Sequence, residues 1–147
     1  RGGGARRQGP GDGPAENVRV GGCTDLSQAL LATGFGYRAQ LRAHQAEVLT
    51  RVLPAVRDIR RLGSAAVDLC LVADGRVDGY YELGLNPWDL AAGWLVVTEA
   101  GGVVHGPGEV AGATLASRPG SGARVEANLT VAANPSVTAA LLDLLAH

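Results

Sequence analysis

Residues 86–102 read NPWDLAAGWLVVTEAGG, and this stretch decides the fold because its beginning and its end are both marked. Asn86 is a favourable N-cap, and Pro87 suits the first helical position, where its missing N–H would be unpaired in any case. From 88 to 100 nearly every residue is apolar, which predicts a helix that is buried on all sides. The glycine pair that follows favours the left-handed conformation that ends a helix.

Asp89 is the one charged residue at the start of this apolar helix. A carboxylate in the first turn is favoured by the helix dipole and by unpaired backbone N–H groups, so a helix-start role is one interpretation. The other is a metal ligand that a rigid helix holds at the lip of a cleft. The stretch itself leaves both interpretations open.

The composition is that of a globular chain with one sizeable core. Of 147 residues, 46% are hydrophobic and 18% charged, which argues against intrinsic disorder. No apolar run reaches the length of a membrane span, and no signal peptide is visible. The net charge of −1 gives no reason to expect nucleic acid or an anionic membrane as a partner.

The two cysteines, Cys23 and Cys70, form neither a CxxC motif nor a disulfide framework. Cys70 lies in an apolar helical run and is interpreted as a small core residue. This usage favours a reducing, cytoplasmic compartment.

Strand and helix patterns alternate along the chain, which predicts the α/β class with a mixed sheet flanked by helices. Predicted strands lie at 26–33, 56–62, 76–83, 102–104, 114–116 and 129–132, and predicted helices at 38–53, 63–73, 88–100 and from 134 onward. The strand at 56–62 carries four charges in seven residues, which is typical of a sheet edge. His44 and His105 are interpreted as surface residues.

Two further stretches allow either a structural or a functional interpretation. Gly63, Ser64 and Ala65 open the helix at 63–73, where small residues permit close packing but also leave backbone N–H groups open to a ligand oxygen. Alternation along 76–83 places Tyr80 and Glu82 on one face of a strand. Glu82 at the strand end is either a solvated carboxylate or a ligand contact.

The order GSAA at 63–66 with Asp68, DGYYE at 78–82, WDLAAG at 88–93 and EAGG at 99–102 resembles the inositol monophosphatase family of magnesium-dependent, lithium-sensitive phosphatases. The resemblance implies that Asp89 is a magnesium ligand, that Glu82 contacts sugar hydroxyls, and that the turn at Gly63, Ser64 and Ala65 meets the substrate. It also implies that residues 33–37 line the cleft, whereas the residues by themselves fit a plain strand-to-helix turn equally well.

The resemblance further divides the chain into two parts. Residues 1–22 would form a glycine-rich hairpin, with arms at 1–5 and 18–20, that belongs to the sheet of an N-terminal half. Residues 23–147 would form the C-terminal half of a layered αβαβα sandwich, with the substrate-recognition side and one metal ligand. The family's Asp-Pro-x-Asp-Gly-Thr stretch, which carries further metal ligands, has no counterpart because the chain contains no Asp-Pro dipeptide.

The resemblance therefore implies a phosphate ester as substrate, magnesium as cofactor, the N-terminal half of the same fold as a partner, and a homodimer. Hydrolysis of a sugar-alcohol phosphate by metal-activated water is expected of the complete enzyme, while this chain alone is expected to be inactive. Fructose bisphosphate, histidinol phosphate and 3′-phosphoadenosine phosphate, which relatives use, are the alternative substrates. A truncated, non-catalytic sugar-phosphate or protein-binding module is the alternative from a different functional class.

Overall fold

A computed structural model of the chain describes residues 2–11, 13–106 and 128–146. The strands are β1 (Arg6–Arg7), β2 (Glu16–Asn17), β3 (Leu30–Thr33), β4 (Asp58–Arg60), β5 (Gly79–Leu83), β6 (Val103–His105) and β7 (Leu129–Ala133). The helices are α1 (Ala39–Val52), α2 (Ala65–Ala73), α3 (Pro87–Glu99) and α4 (Pro135–Leu145), with short 3-10 turns at Leu26–Gln28 and Leu53–Ala55. No helix in these ranges combines the length and the apolar character that a membrane crossing requires.

The core is a five-stranded mixed sheet in the order β4-β3-β5-β7-β6. Strand β3 runs parallel to β4 and to β5, whereas β7 runs antiparallel to β5 and to β6. The charged strand β4 lies at the edge, as its sequence predicts. The α/β class and the mixed sheet flanked by helices are confirmed.

Helices cover both faces of this sheet, and each face has its own apolar cluster. One cluster joins α2 and α3 to Tyr80 of β5 and Ala132 of β7. The other joins α1 and α4 to Tyr81 of β5 and Val131 of β7. Because neighbouring residues of β5 and β7 enter opposite clusters, the predicted alternation that places Tyr80 and Glu82 on the same face is confirmed.

Helices α2 and α3 pack tightly because Gly93 of α3 has no side chain. A Cβ at Gly93 would lie 2.5 Å from Cδ1 of Leu69 on α2, far inside van der Waals contact. The end of α3 also follows the sequence, since Gly101 has a φ of +85°. Gly93 therefore fixes the spacing of the two helices that carry Asp68 and Asp89.

The glycine-rich N-terminal segment forms a hairpin that packs on the α2–α3 side. Strands β1 and β2 pair antiparallel, and the N–H of Val18 donates to the carbonyl oxygen of Ala5 at 3.0 Å. Gly2 and Gly4 donate their N–H groups to the carboxylate of Glu99 at 2.6 and 2.9 Å. The segment is a hairpin, but its paired strands at Arg6–Arg7 and Glu16–Asn17 lie between the predicted arms at 1–5 and 18–20.

Among the predicted strands, some begin later in the structure than expected and one falls outside the described residues. The segment predicted as a strand at 26–33 begins with a 3-10 turn at Leu26–Gln28, because Asp25 caps the N–H of Ser27, and only Leu30–Thr33 is extended. The strand predicted at 76–83 begins at Gly79. The strand predicted at 114–116 lies outside the described residues.

Burial predictions fail on the outer side of the α2–α3 pair. Helix α3 is expected to be buried all round, yet Trp88 is 77% exposed and Leu95 is 44% exposed. Cys70 of α2, interpreted from sequence as a core residue, is also exposed. An apolar pattern identifies residues that can be buried, but only one face of each helix reaches this sheet. His105, interpreted from sequence as a surface residue, is instead half-buried, and burial lowers its pKa.

Candidate functional site

Glu82 lies near the end of β5 and is held on two sides. The hydroxyl of Tyr80, two residues earlier on the same face, donates to Oε2 of Glu82 at 2.5 Å. On the other side the carboxylate lies against the backbone of Gly34, where a Cβ would come within 1.9 Å of Oε2. Glu82 is therefore a half-buried, oriented carboxylate rather than a freely solvated one.

Charged groups from two other segments of the chain act on Glu82. Burial raises the pKa of its carboxyl, the hydrogen bond from Tyr80 and the positive charge of Arg61 lower that pKa, and the negative charge of Asp89 raises it. Arg61 precedes α2, and Asp89 lies in the first turn of α3. The starts of both helices and the end of β5 thus meet at one edge of the sheet, as expected where strands give way to helices.

Asp89 has the geometry of a helix-start residue. Its Oδ2 accepts a hydrogen bond from the backbone N–H of Asn86 at 3.0 Å and one from the side-chain amide of Asn86 at 3.4 Å. This is the returning half of a capping box. Oδ1 of Asp89 accepts no hydrogen bond from the residues described, so the capping arrangement leaves one oxygen open to a ligand.

The turn before α2 is shaped by Gly63 and Ser64. Gly63 has a φ of +90°, a conformation that side chains disfavour, and a guanidinium nitrogen of Arg61 lies close above it. The Ser64 hydroxyl accepts from the N–H of Val67 at 3.4 Å, which confirms Ser64 as the N-cap. Ala65 then begins the helix, so its backbone N–H belongs to the first turn, where amides have no partner within the helix.

Part of the segment predicted to line the cleft borders a small pocket on the α1–α4 side of the sheet, the face opposite Tyr80. Thr33, Gly34 and Phe35 contribute to it, together with Gln45 of α1. The Gln45 amide oxygen accepts from the N–H of Gly36 at 2.9 Å, which fixes the loop after β3. Tyr37, the last residue of the predicted segment, is fully exposed.

Asp68 is a buried acidic residue to which the sequence patterns gave no role. It lies in the first turn of α2, is 1% exposed, and neither of its carboxylate oxygens has a hydrogen-bond partner in the described part of the chain. Burial and the negative charge of Glu82 raise the pKa of Asp68 to about 6, against the opposing effect of Arg61. A single acid in an otherwise apolar helix was the signal, the same one that marked Asp89.

The acidic residues described do not by themselves form a metal centre. Within residues 2–11, 13–106 and 128–146 no group of three or more His, Cys, Asp or Glu side chains is arranged to hold a metal ion. Magnesium prefers several hard oxygen ligands in octahedral geometry. The open oxygen of Asp89 suits one ligand position, and a magnesium ion there would need further ligands in addition to these residues.

Comparison with known proteins gives this geometry a family context. Residues 1–144 match the model of the inositol monophosphatase family. The inositol-1-monophosphatase SuhB of Mycobacterium tuberculosis strain H37Rv is 58% identical over 84 residues, which cover 57% of this chain and 29% of that protein. An inositol-1-monophosphatase of Mycobacterium leprae is 50% identical over 108 residues, 70% of this chain and 37% of that protein.

The fold comparison agrees with the sequence comparison. The solved structure of Mycobacterium tuberculosis SuhB superimposes with a TM-score of 0.71 at 45% identity, covering 89% of this chain and 46% of that chain. The present chain therefore spans less than half the length of the relatives that it matches.

Proposed function

The chain belongs to the inositol monophosphatase family, and on that premise we propose that it supplies the alcohol-recognition side of a phosphatase. The enzyme would hydrolyse a sugar-alcohol phosphate monoester, and inositol phosphate is the favoured substrate. The observation that carries this proposal is the oriented carboxylate of Glu82, fixed by Tyr80 and backed by Gly34. An ionised carboxylate is an acceptor only, and its two oxygens suit a pair of neighbouring hydroxyl donors.

The neighbouring segments suit the phosphate end of such a substrate. Gly63, Ser64 and Ala65 present the start of α2, where backbone N–H groups and the helix dipole favour an anion or a hydroxyl oxygen. Arg61 adds a positive charge at the same edge, which acts to lower the pKa of both Asp68 and Glu82. In this proposal the phosphate lies towards the helix starts and the hydroxyls lie towards Glu82.

Asp89 is proposed as one oxygen ligand of magnesium, through the oxygen that the capping contact leaves open. A bound magnesium ion would stabilise charge on the phosphate and lower the pKa of an attacking water. The residues of this chain would orient the ester and hold one ligand in place. Because one carboxylate binds magnesium weakly, the 147-residue chain alone is expected to release no phosphate from its esters.

A cytoplasmic homodimer completed by the N-terminal half of the fold is the assembly that the family resemblance favours. Related phosphatases acting on fructose bisphosphate, histidinol phosphate or 3′-phosphoadenosine phosphate are the alternative substrate classes. A non-catalytic sugar-phosphate or protein-binding module is the remaining alternative, and it predicts ligand binding without magnesium-dependent phosphate release.

The test compares two esters in the complete protein, in its unmodified form and as Glu82→Gln. Glutamine keeps the size of the side chain but removes its charge and one acceptor. We expect the preference for inositol phosphate over p-nitrophenyl phosphate to fall by on the order of 1–3 kcal/mol, the range for hydrogen bonds to charged groups. The exposed Glu47→Gln on α1 is the control and should leave the preference unchanged.

Two results would contradict the proposal. An equal loss of kcat/KM on both esters in Glu82→Gln would assign Glu82 to the metal or to the fold instead of to the alcohol. Magnesium-dependent phosphate release by the 147-residue chain alone would contradict the expected need for ligands outside it.

A further inference from the structure

The N-terminal hairpin is attached to the carboxyl-terminal end of α2 by an ion pair. Asp74 is the C-cap residue of α2, and Nη1 of Arg7 donates to its Oδ1 and Oδ2 at 3.0 and 2.7 Å. The Asp74 side chain is only 15% exposed, and Nε of Arg76 lies 2.8 Å from its Oδ2. Arg7 also donates to Glu16 of β2 at 2.8 Å. One arginine therefore joins the two strands of the hairpin to each other and to α2.

The same hairpin is attached to the carboxyl-terminal end of α3. Glu99, the last residue of α3, accepts from the N–H groups of Gly2 and Gly4 at 2.6 and 2.9 Å. On the returning arm of the hairpin, the N–H of Val20 donates to the carbonyl oxygen of Ala100 at 3.1 Å. The hairpin therefore bridges the carboxyl-terminal ends of both helices.

The acidic side chains at these two helix ends are not explained by the helices themselves. The helix dipole disfavours a negative charge at a carboxyl-terminal end, yet Asp74 and Glu99 both occupy such positions. Each of them accepts hydrogen bonds from the hairpin, which offset the unfavourable interaction with the dipole. Attachment of the hairpin is thus the reason that acids suit these positions.

Helices α2 and α3 are in tight contact at their midpoints. Leu69 is the central residue of α2 and Gly93 that of α3, and a Cβ at Gly93 would lie 2.5 Å from Cδ1 of Leu69. At 1.5 Å per residue the two helices are roughly 14 and 20 Å long. The hairpin holds them on one side of this contact, and their starts, with Ser64 and Asp89, lie on the other. Because packed helices move as rigid bodies, a change of spacing at the hairpin changes the spacing at the starts.

We propose that the hairpin is a brace that sets the spacing between the starts of α2 and α3, and that Arg7, Asp74 and Glu99 are positioning residues for the groups there. The inference rests on the proposed function for its consequence in hydrolysis, since the start of α2 is assigned to the phosphate and Asp89 to magnesium.

The first test needs neither metal nor activity. In amide NMR spectra of the complete, metal-free protein, Arg7→Met should shift the backbone signals of Ala65 and Asp89, which lie at the far ends of the helices. Arg6→Met is the matched control, because Arg6 is the neighbouring exposed arginine of β1 and the Asp74 carboxylate pairs with Arg7 and not with it. The control should leave both signals in place.

Two further variants loosen the brace from the side of the helices. Asp74→Asn and Glu99→Gln each remove the charge of one anchor and keep its size. Both should shift the signals of Ala65 and Asp89 as Arg7→Met does. The test therefore remains decisive even if Arg7→Met folds poorly.

The second test measures hydrolysis well below the melting temperature, where the variants are folded. The brace acts on the groups for metal and phosphate and not on Glu82. Arg7→Met should therefore lower kcat/KM about tenfold for inositol phosphate and p-nitrophenyl phosphate alike, and leave the preference between them unchanged. The magnesium concentration that gives half of the maximal rate should rise, since Asp89 is displaced. Arg6→Met should keep both the rate and this concentration.

The possible outcomes are distinguishable. Unmoved signals of Ala65 and Asp89 in all three brace variants, or equal shifts in Arg6→Met, would overturn the inference. Shifted signals with unchanged rates on both esters would overturn the positioning role and leave the hairpin as a structural attachment only. If the unmodified protein hydrolyses neither ester with magnesium, the proposed function fails, while the spectra still decide whether the hairpin sets the spacing of the helices.

Discussion

The carboxylate of Glu82 rests directly on the backbone of Gly34, at a distance that leaves no room for any side chain at position 34. A Cβ there would lie 1.9 Å from Oε2 and 2.2 Å from the carboxyl carbon of Glu82. The loop after β3 and the end of β5 thus meet through one glycine. The absence of a side chain at Gly34 sets where the charge of Glu82 lies.

Gly34→Ala should therefore act on Glu82 rather than on the fold. The φ of Gly34 is not in the left-handed region, so alanine can adopt its backbone conformation, and the flexible end of Glu82 can move. We expect the preference for a polyol ester to fall about tenfold while kcat for p-nitrophenyl phosphate is kept. Gly22→Ala, where a Cβ would meet nothing within 4 Å, is the control. An unchanged preference in Gly34→Ala would separate this contact from alcohol recognition.

Tyr80→Phe should change the titration of Glu82. The hydroxyl of Tyr80 donates to Oε2 of Glu82 and lowers the pKa of that carboxyl, so removing the hydroxyl should raise the pKa further above its usual value. The loss of one hydrogen bond should also cost about 1 kcal/mol of stability. NMR titration of Glu82 and urea unfolding measure the two effects.

Tyr81→Phe is the matched control for Tyr80→Phe, because Tyr81 packs in the cluster on the opposite face of the sheet. It should leave the pKa of Glu82 unchanged. A pKa of Glu82 that moves equally in both variants would indicate a general effect of the lost hydroxyl on the fold.

The elements of this fold follow closely from local signals in the sequence. Asn86 and Pro87 begin α3, Gly101 ends it, and Ser64 caps α2 as predicted. The period of two along β5 correctly placed Tyr80 and Glu82 on one face. These features are set within a few residues of chain, so the sequence alone was enough to predict them.

The contacts between distant segments were not predictable in the same way. Nothing near Asp68 in the sequence indicates that its carboxylate is buried without a hydrogen-bond partner among the described residues, because that depends on how α2 packs against the sheet. The contact of Glu82 with Gly34 depends on the pairing of β3 with β5. The prediction that Cys70 is buried was wrong for a related reason, since an apolar helix pattern does not identify which face of the helix meets the sheet.

The stability of the protein should depend on pH through Asp68. The pKa of this carboxyl is about 6 in the fold and near 3.8 in the unfolded chain, so the folded state binds the extra proton between these values. Ionised Asp68 therefore destabilises the folded state above pH 6, and this destabilisation disappears as pH falls to about 4. The difference between the two pKa values corresponds to a change in the free energy of unfolding of roughly 1–3 kcal/mol.

Comparison with Asp68→Asn isolates this contribution from the other acids. Chemical unfolding of the unmodified protein and the variant should be measured from pH 4 to pH 7.5. The stability of the unmodified protein relative to the variant should decrease with rising pH, most steeply between the two pKa values. A difference that is constant across this range would contradict the raised pKa of Asp68.

Glu99 should control the attachment of the N-terminal hairpin. Its carboxylate accepts from the N–H groups of Gly2 and Gly4, and these hydrogen bonds lower its pKa. Because the pKa is lowered, the stability that these hydrogen bonds contribute is present at pH values above the usual pKa of a glutamate and is lost as pH falls. Glu99→Ala should accelerate amide exchange and proteolysis in residues 2–7, with Glu47→Ala as the exposed control. Equal protection of the hairpin in Glu99→Ala would show that Ala5 and Val18 hold it without the carboxylate.

Asp89→Asn separates the two roles that are open to this residue. Asparagine keeps a side-chain oxygen that can accept from the N–H of Asn86, as Oδ2 of Asp89 does at 3.0 Å. If helix capping is its whole role, the variant should lose only the dipole interaction of about 0.3–1 kcal/mol. If the open oxygen binds magnesium, loss of the negative charge should lower metal affinity and the rate of hydrolysis together. The measurements are melting temperature with and without magnesium and phosphatase rate, made on the complete protein. An unchanged rate together with an unchanged magnesium-induced stabilisation would exclude the ligand role, since the capping contact survives in both proteins and cannot mask the loss of a ligand.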